Sequence, residues 1–447
     1  MFEGALAFPP SEVGLRGVWA SQGYGYVVEI AEGEPRVFHT TENLCLEHPA
    51  EAPAFIEFQD LYDLSPDRGM LRLSSRLDPY PLHLWRLAAL PDRCLAEASN
   101  SQAANFEALA SLFEAHYCFF ELYDVDWSVA VDRARHELSV DMEDRELFDV
   151  ATRLLEPLKD AHIQLDAEIG QERLIFDGNP GKTEEAIEKL AGRSNTDYAT
   201  ALGDFRRDYW LRDVRDDLLQ GAGVLAGNNR IQYGLLGEDV GYIAFASMGG
   251  FIDGEYDSMS EETAVLDAMM EDALGLFEAR SVRGVVIDLS LNIGGYDFIA
   301  REIAGRFTDS VLSAYSQRAC DDPRSRTFTH DLKPARGSRF TGPVVVLTSD
   351  LTVSAAEVLT ISLRSLDNVT HAGERTRGAF STVLTKFLPN GWELSLSNEV
   401  FADHEGVVWE SLGVEPEVPI AVFDSSAPSV GHVAAVRSAA ELLRQGR

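Results

Sequence analysis

The stretch that most constrains the fold is Gly342–Phe380, GPVVVLTSDLTVSAAEVLTISLRSLDNVTHAGERTRGAF. Its apolar run Val344–Leu347 is short, bounded by turn residues and rich in β-branched side chains, which suits a strand buried on both faces. A polar turn with Thr352 and Ser354 follows, then an Ala- and Leu-rich helical segment, and a glycine-punctuated turn at Gly373–Gly378. The same grammar runs back to Tyr233. There is a strand-like GYIAFASM, a helix over Glu261–Ala279, a buried GVVIDLSL ending at Gly294-Gly295, a helix over Tyr296–Phe307 and a strand near Leu312–Arg318. The chain ends in a β-like WELSLSNEVFADHEGVVWESLGVEPEVPI with two turns and an amphipathic helix, HVAAVRSAAELLR. Alternation of this kind predicts an α/β unit, with helices packed on a sheet, over residues 233–447.

Ser354 stands where the strand turns into the helix, beside the helix's first free N–H groups. Two readings are open there. The serine caps the helix, with Glu357 completing a capping box; or it is a nucleophile, because those amides favour the negative charge of a tetrahedral intermediate.

Upstream, the pattern differs. Residues 1–96 alternate short β-like runs with turns, among them one at Glu32-Gly33-Glu34-Pro35, and predict a small antiparallel sheet or barrel. His39, His48 and His83 are unclustered there and read as surface or core histidines. Residues 97–232 form a helical cap region. Apolar residues recur at i, i+3 and i+4 through NFEALASLFEAHYCFFELYDVDW, DWSVAVDRARHEL and DRELFDVATRLLEPLKDAHIQLD, ending in a loop at Asp160-Ala161-His162.

Composition narrows the function. A net charge of −35 over 447 residues opposes nucleic-acid binding, since phosphate would be repelled and no basic patch offsets it. No apolar stretch is long enough to span a bilayer, and the start, MFEGALAFPPSEVG, is not a signal peptide as written. The location is periplasmic or secreted if a leader was trimmed, and cytoplasmic otherwise. Cys45, Cys94, Cys118 and Cys320 show no metal-ligand spacing. Four free or buried thiols are expected, and Cys45 and Cys94 can pair if the protein is exported.

Four local motifs, in order, resemble the tail-specific or C-terminal processing serine peptidases, with the tricorn core and the retinoid-binding-protein relatives. They are Ile287-Asp288-Leu289-Ser290-Leu291-Asn292-Ile293-Gly294-Gly295, Thr352-Val353-Ser354-Ala355-Ala356-Glu357, Gly373-Glu374-Arg375-Thr376-Arg377-Gly378 and Glu410-Ser411-Leu412-Gly413-Val414-Glu415-Pro416-Glu417. The resemblance covers roughly residues 105–165 and 233–447. It implies a crotonase/ClpP-like α/β core, a helical cap and a small N-terminal antiparallel β domain. It also implies a serine hydrolase with Ser354 as nucleophile and the amides of Gly294 or Gly295 and Ala355 as the oxyanion hole.

The base is where the sequence departs from the tail-specific branch. Ala379 stands where that branch places its lysine, and Lys386 lies further along the next strand. The tricorn-like branch takes a histidine from the helical region, and Leu158-Lys159-Asp160-Ala161-His162 resembles that element. His162, with an ordinary pKa of about 6.5, can accept a serine proton at neutral pH. Glu410 is the expected orienting acid, Glu357 a cap, and His371 and His404 are spares. Ser290 replaces the family's usual arginine, and Ala161 stands where a serine can occur. No stretch between Asp166 and Tyr233 resembles a PDZ module. The expected reaction is cleavage of peptide bonds without metal or organic cofactor. The alternatives are hydrolysis of small esters, amides or cyclic peptides, and non-catalytic binding of an apolar ligand. The expected partner is a peptide or a small ester or amide, and the oligomeric state is not legible.

Overall fold

The computed structural model describes residues 14–31, 35–49, 61–76, 78–96, 98–194, 196–252, 259–424 and 426–446. The expected turn at Glu32-Gly33-Glu34, the start of the chain and the first part of FIEFQDLYDLS lie outside the described residues. The chain divides into two compact units, each built from discontinuous segments.

Unit 1 comprises Met1–Asn179, Arg318–Phe328 and Ser381–Val400. Its first sheet has strands β1 (Gly17–Ser21), β2 (Tyr26–Ile30), β3 (Arg36–Thr40), β4 (Cys45–Glu47), β5 (Leu61–Leu64), β6 (Met70–Ser74) and β7 (Leu82–Leu87). They form an open antiparallel sheet in the order β4-β3-β2-β1-β7-β6-β5, not a barrel. The period of two puts Trp19, Val28 and Leu84 on one face and Val18, Val27 and Phe38 on the other. The first face shares one core with helices α1 (Gln102–His116), α2 (Trp127–Arg135) and α3 (Asp144–Leu155). Ser101 and Asp126 start the first two helices by accepting the N–H groups of Ala104 and Val129. A second antiparallel sheet joins β8 (Gln164–Ile169) and β9 (Glu172–Asp177) to β18 (Val383–Phe387) and β19 (Glu393–Ser397), in the order β18-β19-β8-β9.

Two expectations are corrected in unit 1. The helical periodicity through Asn105–Trp127 is interrupted, because Tyr117 is extended and the Cys118 N–H donates to the Ser397 carbonyl at 3.2 Å. The cysteines are not free thiols: Cys45 pairs with Cys94 and Cys118 with Cys320. Folding supplies the second pairing across 202 residues of sequence, a separation at which spacing alone carries no signal.

Unit 2 comprises Pro180–Gln317, Thr329–Phe380 and Phe401–Arg447. Its elements begin with α4 (Lys182–Ser194) and α5 (Tyr198–Asp208), which continues as a π-helix over Tyr209–Leu218. Next come β10 (Val224–Ala226), β11 (Ile231–Leu236), β12 (Val240–Phe245), α6 (Met259–Arg280), β13 (Gly284–Asp288) and α7 (Asp297–Ala304). After β14 (Leu312–Ala319) and β15 (Phe328–Leu332) come β16 (Val344–Thr348), α8 (Ala355–Arg364) and β17 (Val369–Gly373). The chain ends with β20 (Glu399–Asp403), β21 (Val418–Pro419) and α9 (His432–Arg444). The strands β14, β15 and β20, most but not all of whose residues belong to unit 2, make a small sheet in the order β15-β14-β20.

The main sheet runs β10-β11-β12-β13-β16-β17-β21, antiparallel up to β12 and parallel from there. Every residue of β13 and β16 is buried, as a parallel sheet covered on both faces requires. Tyr242, Val286 and Val345 pack toward α9 and the π-helix. Gly241, of opposite parity, faces α6, where a Cβ would meet the Phe277 ring at 3.0 Å. The expected α/β class and N-terminal antiparallel sheet are both present. The parallel strands β13 and β16 bring two turns to the same edge of the sheet, their carboxyl ends, where ligands bind in open α/β sheets.

Candidate active site

The turn after β16 carries Ser354 into α8 with φ +59° and ψ −125°. A non-glycine residue with positive φ is held there only by its surroundings. Thr352 Oγ1 accepts the Ser349 N–H at 3.0 Å and donates to the Leu289 carbonyl at 2.8 Å. Ser349 Oγ donates to the Ser290 carbonyl at 2.6 Å. Ser354 is half-buried, whereas Ala355 is fully buried at the first position of the helix. The Ala355 N–H has no intrahelical acceptor and no hydrogen bond among the described residues.

The turn after β13 meets this one. Asn292 ties three pieces together: its Nδ2 donates to the Phe245 carbonyl at 3.0 Å, its Oδ1 accepts the Gly294 N–H at 3.0 Å, and its carbonyl accepts the Val353 N–H at 3.0 Å. Gly294 has φ +89°, and a Cβ there would lie 2.7 Å from Ser354 Cβ and 3.2 Å from its Oγ. Glycine is therefore required by close approach as well as by backbone conformation. The Gly294 amide is engaged by Asn292, whereas the Gly295 N–H carries no hydrogen bond among the described residues.

Glu357 is fully buried and does more than cap the helix. Its Oε2 accepts the N–H groups of Ser354 at 3.1 Å and Ala379 at 2.8 Å, and its Oε1 accepts that of Gly378 at 2.7 Å. Burial pushes its pKa up, opposed by these bonds and one from the Thr376 side chain. The next amide, Phe380, donates to Glu410 Oε2 at 2.9 Å. Three consecutive amides thus tether two buried carboxylates, one of which holds the Ser354 backbone. Unit 2 thereby groups Ser354, Ala355, Gly294, Gly295 and Glu410.

His162 belongs to unit 1, in the turn before β8. It is buried; its N–H donates to Asp160 Oδ1 at 2.8 Å and its carbonyl accepts from Ser395 Oγ at 2.8 Å. Asp160 also accepts from the Tyr117 hydroxyl at 3.0 Å, and burial raises its pKa. Asp160 fixes this turn, a role visible in the sequence only as the third residue of the motif. Lys386 also lies in unit 1. It is fully buried, donates to the Tyr24 carbonyl at 2.5 Å and sits 3.9 Å from the centre of the Tyr26 ring. Burial pulls its pKa down to about 7. His371 is buried against Thr348 Oγ1 at 2.7 Å and Arg364 at 3.1 Å, and burial followed by the Arg364 charge pulls its pKa down to about 3. His404 is exposed.

Residues 239–420 match the family model for peptidase family S41. This region is an S41 peptidase domain. It begins just before β12 and ends at β21, so it contains the glycine turn, Ser354 and Glu410. Carboxy-terminal processing protease CtpA of Bacillus subtilis (strain 168) is 27% identical over 161 residues, covering 36% of this chain. The chain spans only 33% of that relative's length. Among solved structures, a Parabacteroides merdae ATCC 43184 protein assigned as a peptidase aligns with a TM-score of 0.58 at 24% identity, covering 77% of this chain and 97% of its own. Mature CPAF complexed with lactacystin aligns with a TM-score of 0.53 at 12% identity, covering 77% and 98%. These likenesses establish a shared fold around the S41 domain.

Proposed function

We propose that the protein is a serine peptidase in which Ser354 is the nucleophile, His162 the general base and Glu410 the acid that orients the base. The observation that carries this reading is the Ser354 turn: a serine with φ +59° at a strand-to-helix junction, against a glycine turn, in an S41 domain. Ser354 Oγ attacks the scissile carbonyl carbon as His162 takes its proton. The carbonyl becomes an oxyanion stabilised by the N–H groups of Ala355 and Gly295, each donor contributing about 3–4 kcal/mol. Collapse breaks the C–N bond, and the proton held by His162 passes to the departing amine. Water, deprotonated by the same imidazole, then hydrolyses the acyl ester and restores the serine. The chemistry requires no metal or organic cofactor.

The two disulfides of unit 1 favour an oxidising compartment as the place of work. Hydrolysis of casein, measured beside that of p-nitrophenyl esters, tests the reading. Casein cleavage that falls by about 10⁴-fold or more in Ser354→Ala and is severely reduced in His162→Ala supports a peptidase. Ester turnover without casein cleavage moves the substrate to small esters or amides. Full activity in Ser354→Ala overturns the nucleophile, and normal activity in Glu410→Gln removes the orienting acid.

A further inference from the structure

Beneath the glycine turn lies a group of ionisable side chains that the steps above do not use. Asp288, the last residue of β13, is fully buried. Its Oδ1 accepts the N–H of Ser290, the first amide of the turn that leads to Asn292 and Gly295, at 2.9 Å. Its Oδ2 accepts from the Tyr242 hydroxyl at 2.6 Å and lies 2.8 Å from His432 Nε2. His432 opens α9 and is itself buried; its Nδ1 lies 3.6 Å from Asp213 Oδ2 on the π-helix. Asp213 is held from its other side by Arg212 Nε at 2.7 Å. The Tyr209 ring lies 4.3 Å from the imidazole, tilted by 40° to it. Thus β12, β13, the π-helix and α9 each contribute a polar side chain to one buried cluster, while the α9-facing residues of β16, Val345 and Leu347, are apolar.

We propose that His432 and Asp213 act through Asp288 as positioning residues for the oxyanion side of the site. An imidazolium between two carboxylates fixes the rotation of Asp288, and Asp288 fixes the first amide of the Ser290–Gly295 turn. Asn292 passes that position to Gly294 and, through its carbonyl, to Val353 beside the nucleophile. Two separate bonds hold Asp288 Oδ2, so Oδ1 has one orientation available. Loss of the imidazolium leaves two buried carboxylates without their shared counter-charge, and Asp288 is then free to turn or to take up a proton. The proposal rests on the serine-hydrolase reading, since it concerns the same turn.

The electrostatics agree with the geometry. Burial is the largest influence on His432 and works against its charge, as does the positive end of its own helix. Asp288 and Asp213 together outweigh burial, and the imidazole is pushed up to about 8. Burial would likewise raise the Asp288 carboxyl, yet the His432 charge and the bonds from His432, Tyr242 and Ser290 hold it below the usual carboxylate range. The site therefore has an alkaline limit set by a residue outside the reacting groups.

The test is the rate of Ser354 labelling by a fluorophosphonate, followed from about pH 6 to about pH 10 in the full chain. The wild-type rate is expected to fall on the alkaline side with a midpoint of about 8. His432→Gln, which keeps a donor for Asp288 but does not titrate, is expected to label about tenfold more slowly at neutral pH and to lose that alkaline fall. Asp213→Asn is expected to move the midpoint about one unit or more toward acid, because a counter-charge has been removed. An unchanged alkaline limb in both variants overturns the proposal. Should the variants fail to fold, the wild-type His432 ring signal followed by NMR must titrate with the same midpoint as the rate, and a different midpoint overturns it. Labelling that persists in Ser354→Ala overturns the hydrolase reading, whatever His432 does.

Discussion

All four cysteines lie in unit 1, paired as Cys45–Cys94 and Cys118–Cys320, whereas unit 2 contains none. Unit 2 instead relies on buried carboxylates. Glu357 holds three backbone amides across the 354–379 region, and Asp288 holds the glycine turn. The two devices respond to different insults. A covalent cross-link acts mainly on the unfolded chain and is broken by reductant. A buried carboxylate acts on the folded state and is disturbed by changes in protonation or by loss of one partner. His162 thus sits in a unit stabilised by cross-links, and Ser354 in a unit stabilised by hydrogen bonds.

Removing Glu357 is the largest expected blow to this contrast. Glu357→Ala orphans three amide donors, of which those of Gly378 and Ala379 are buried and that of Ser354 part-buried, and is expected to destabilise unit 2 by about 3 kcal/mol or more, with loss of Ser354 labelling. Denaturant unfolding with unit-resolved hydrogen exchange checks it; unchanged protection of α8 would show that the carboxylate is incidental. Next is the disulfide pair. Cys118→Ser with Cys320→Ser, or mild reduction, is expected to lower the stability of unit 1 by about 2–4 kcal/mol, while amides of the unit 2 sheet keep their protection in the same exchange experiment. Equal loss in both units would break the comparison.

For unit 2 the smaller effect is in pH, where the two units are expected to move in opposite directions. His432 has its folded pKa raised above the unfolded value, so its contribution is complete below about pH 6.5 and is lost as pH rises through about 8. That is a loss for unit 2 of about 2 kcal/mol. Lys386 has its folded pKa lowered to about 7. Above that pH the unfolded chain binds the extra proton, so unit 1 gains stability as pH rises toward the ordinary lysine value of about 10.4. Unit-resolved exchange stability at neutral and alkaline pH checks both signs, and a parallel drift of the two units contradicts the assignment.

Much of this arrangement was legible in the residues. The apolar runs of β13 and β16, the glycine pair and the serine before an Ala-rich helix are local signals, and each produced the expected strand, turn or helix. The terminal helix His432–Arg444 was equally clear from its periodicity. Contacts between distant segments were not legible. Glu357 looked like a cap because Ser354 is three residues away, but its partners Gly378 and Ala379 are 21 and 22 residues on. His432 and Asp288 are 144 residues apart and belong to no shared motif. The end of α1 was missed because helical periodicity continues past His116, while a bond to Ser397 and a disulfide draw the backbone away.

The central claim is that Ser354 is an acyl-accepting nucleophile activated by His162. Labelling the full chain with a fluorophosphonate and mapping the adduct by peptide mass spectrometry tests it most directly. The account predicts one adduct, on Ser354, absent in Ser354→Ala and formed at least about 10²-fold more slowly in His162→Ala. An adduct on another residue, or undiminished labelling in Ser354→Ala, would contradict it.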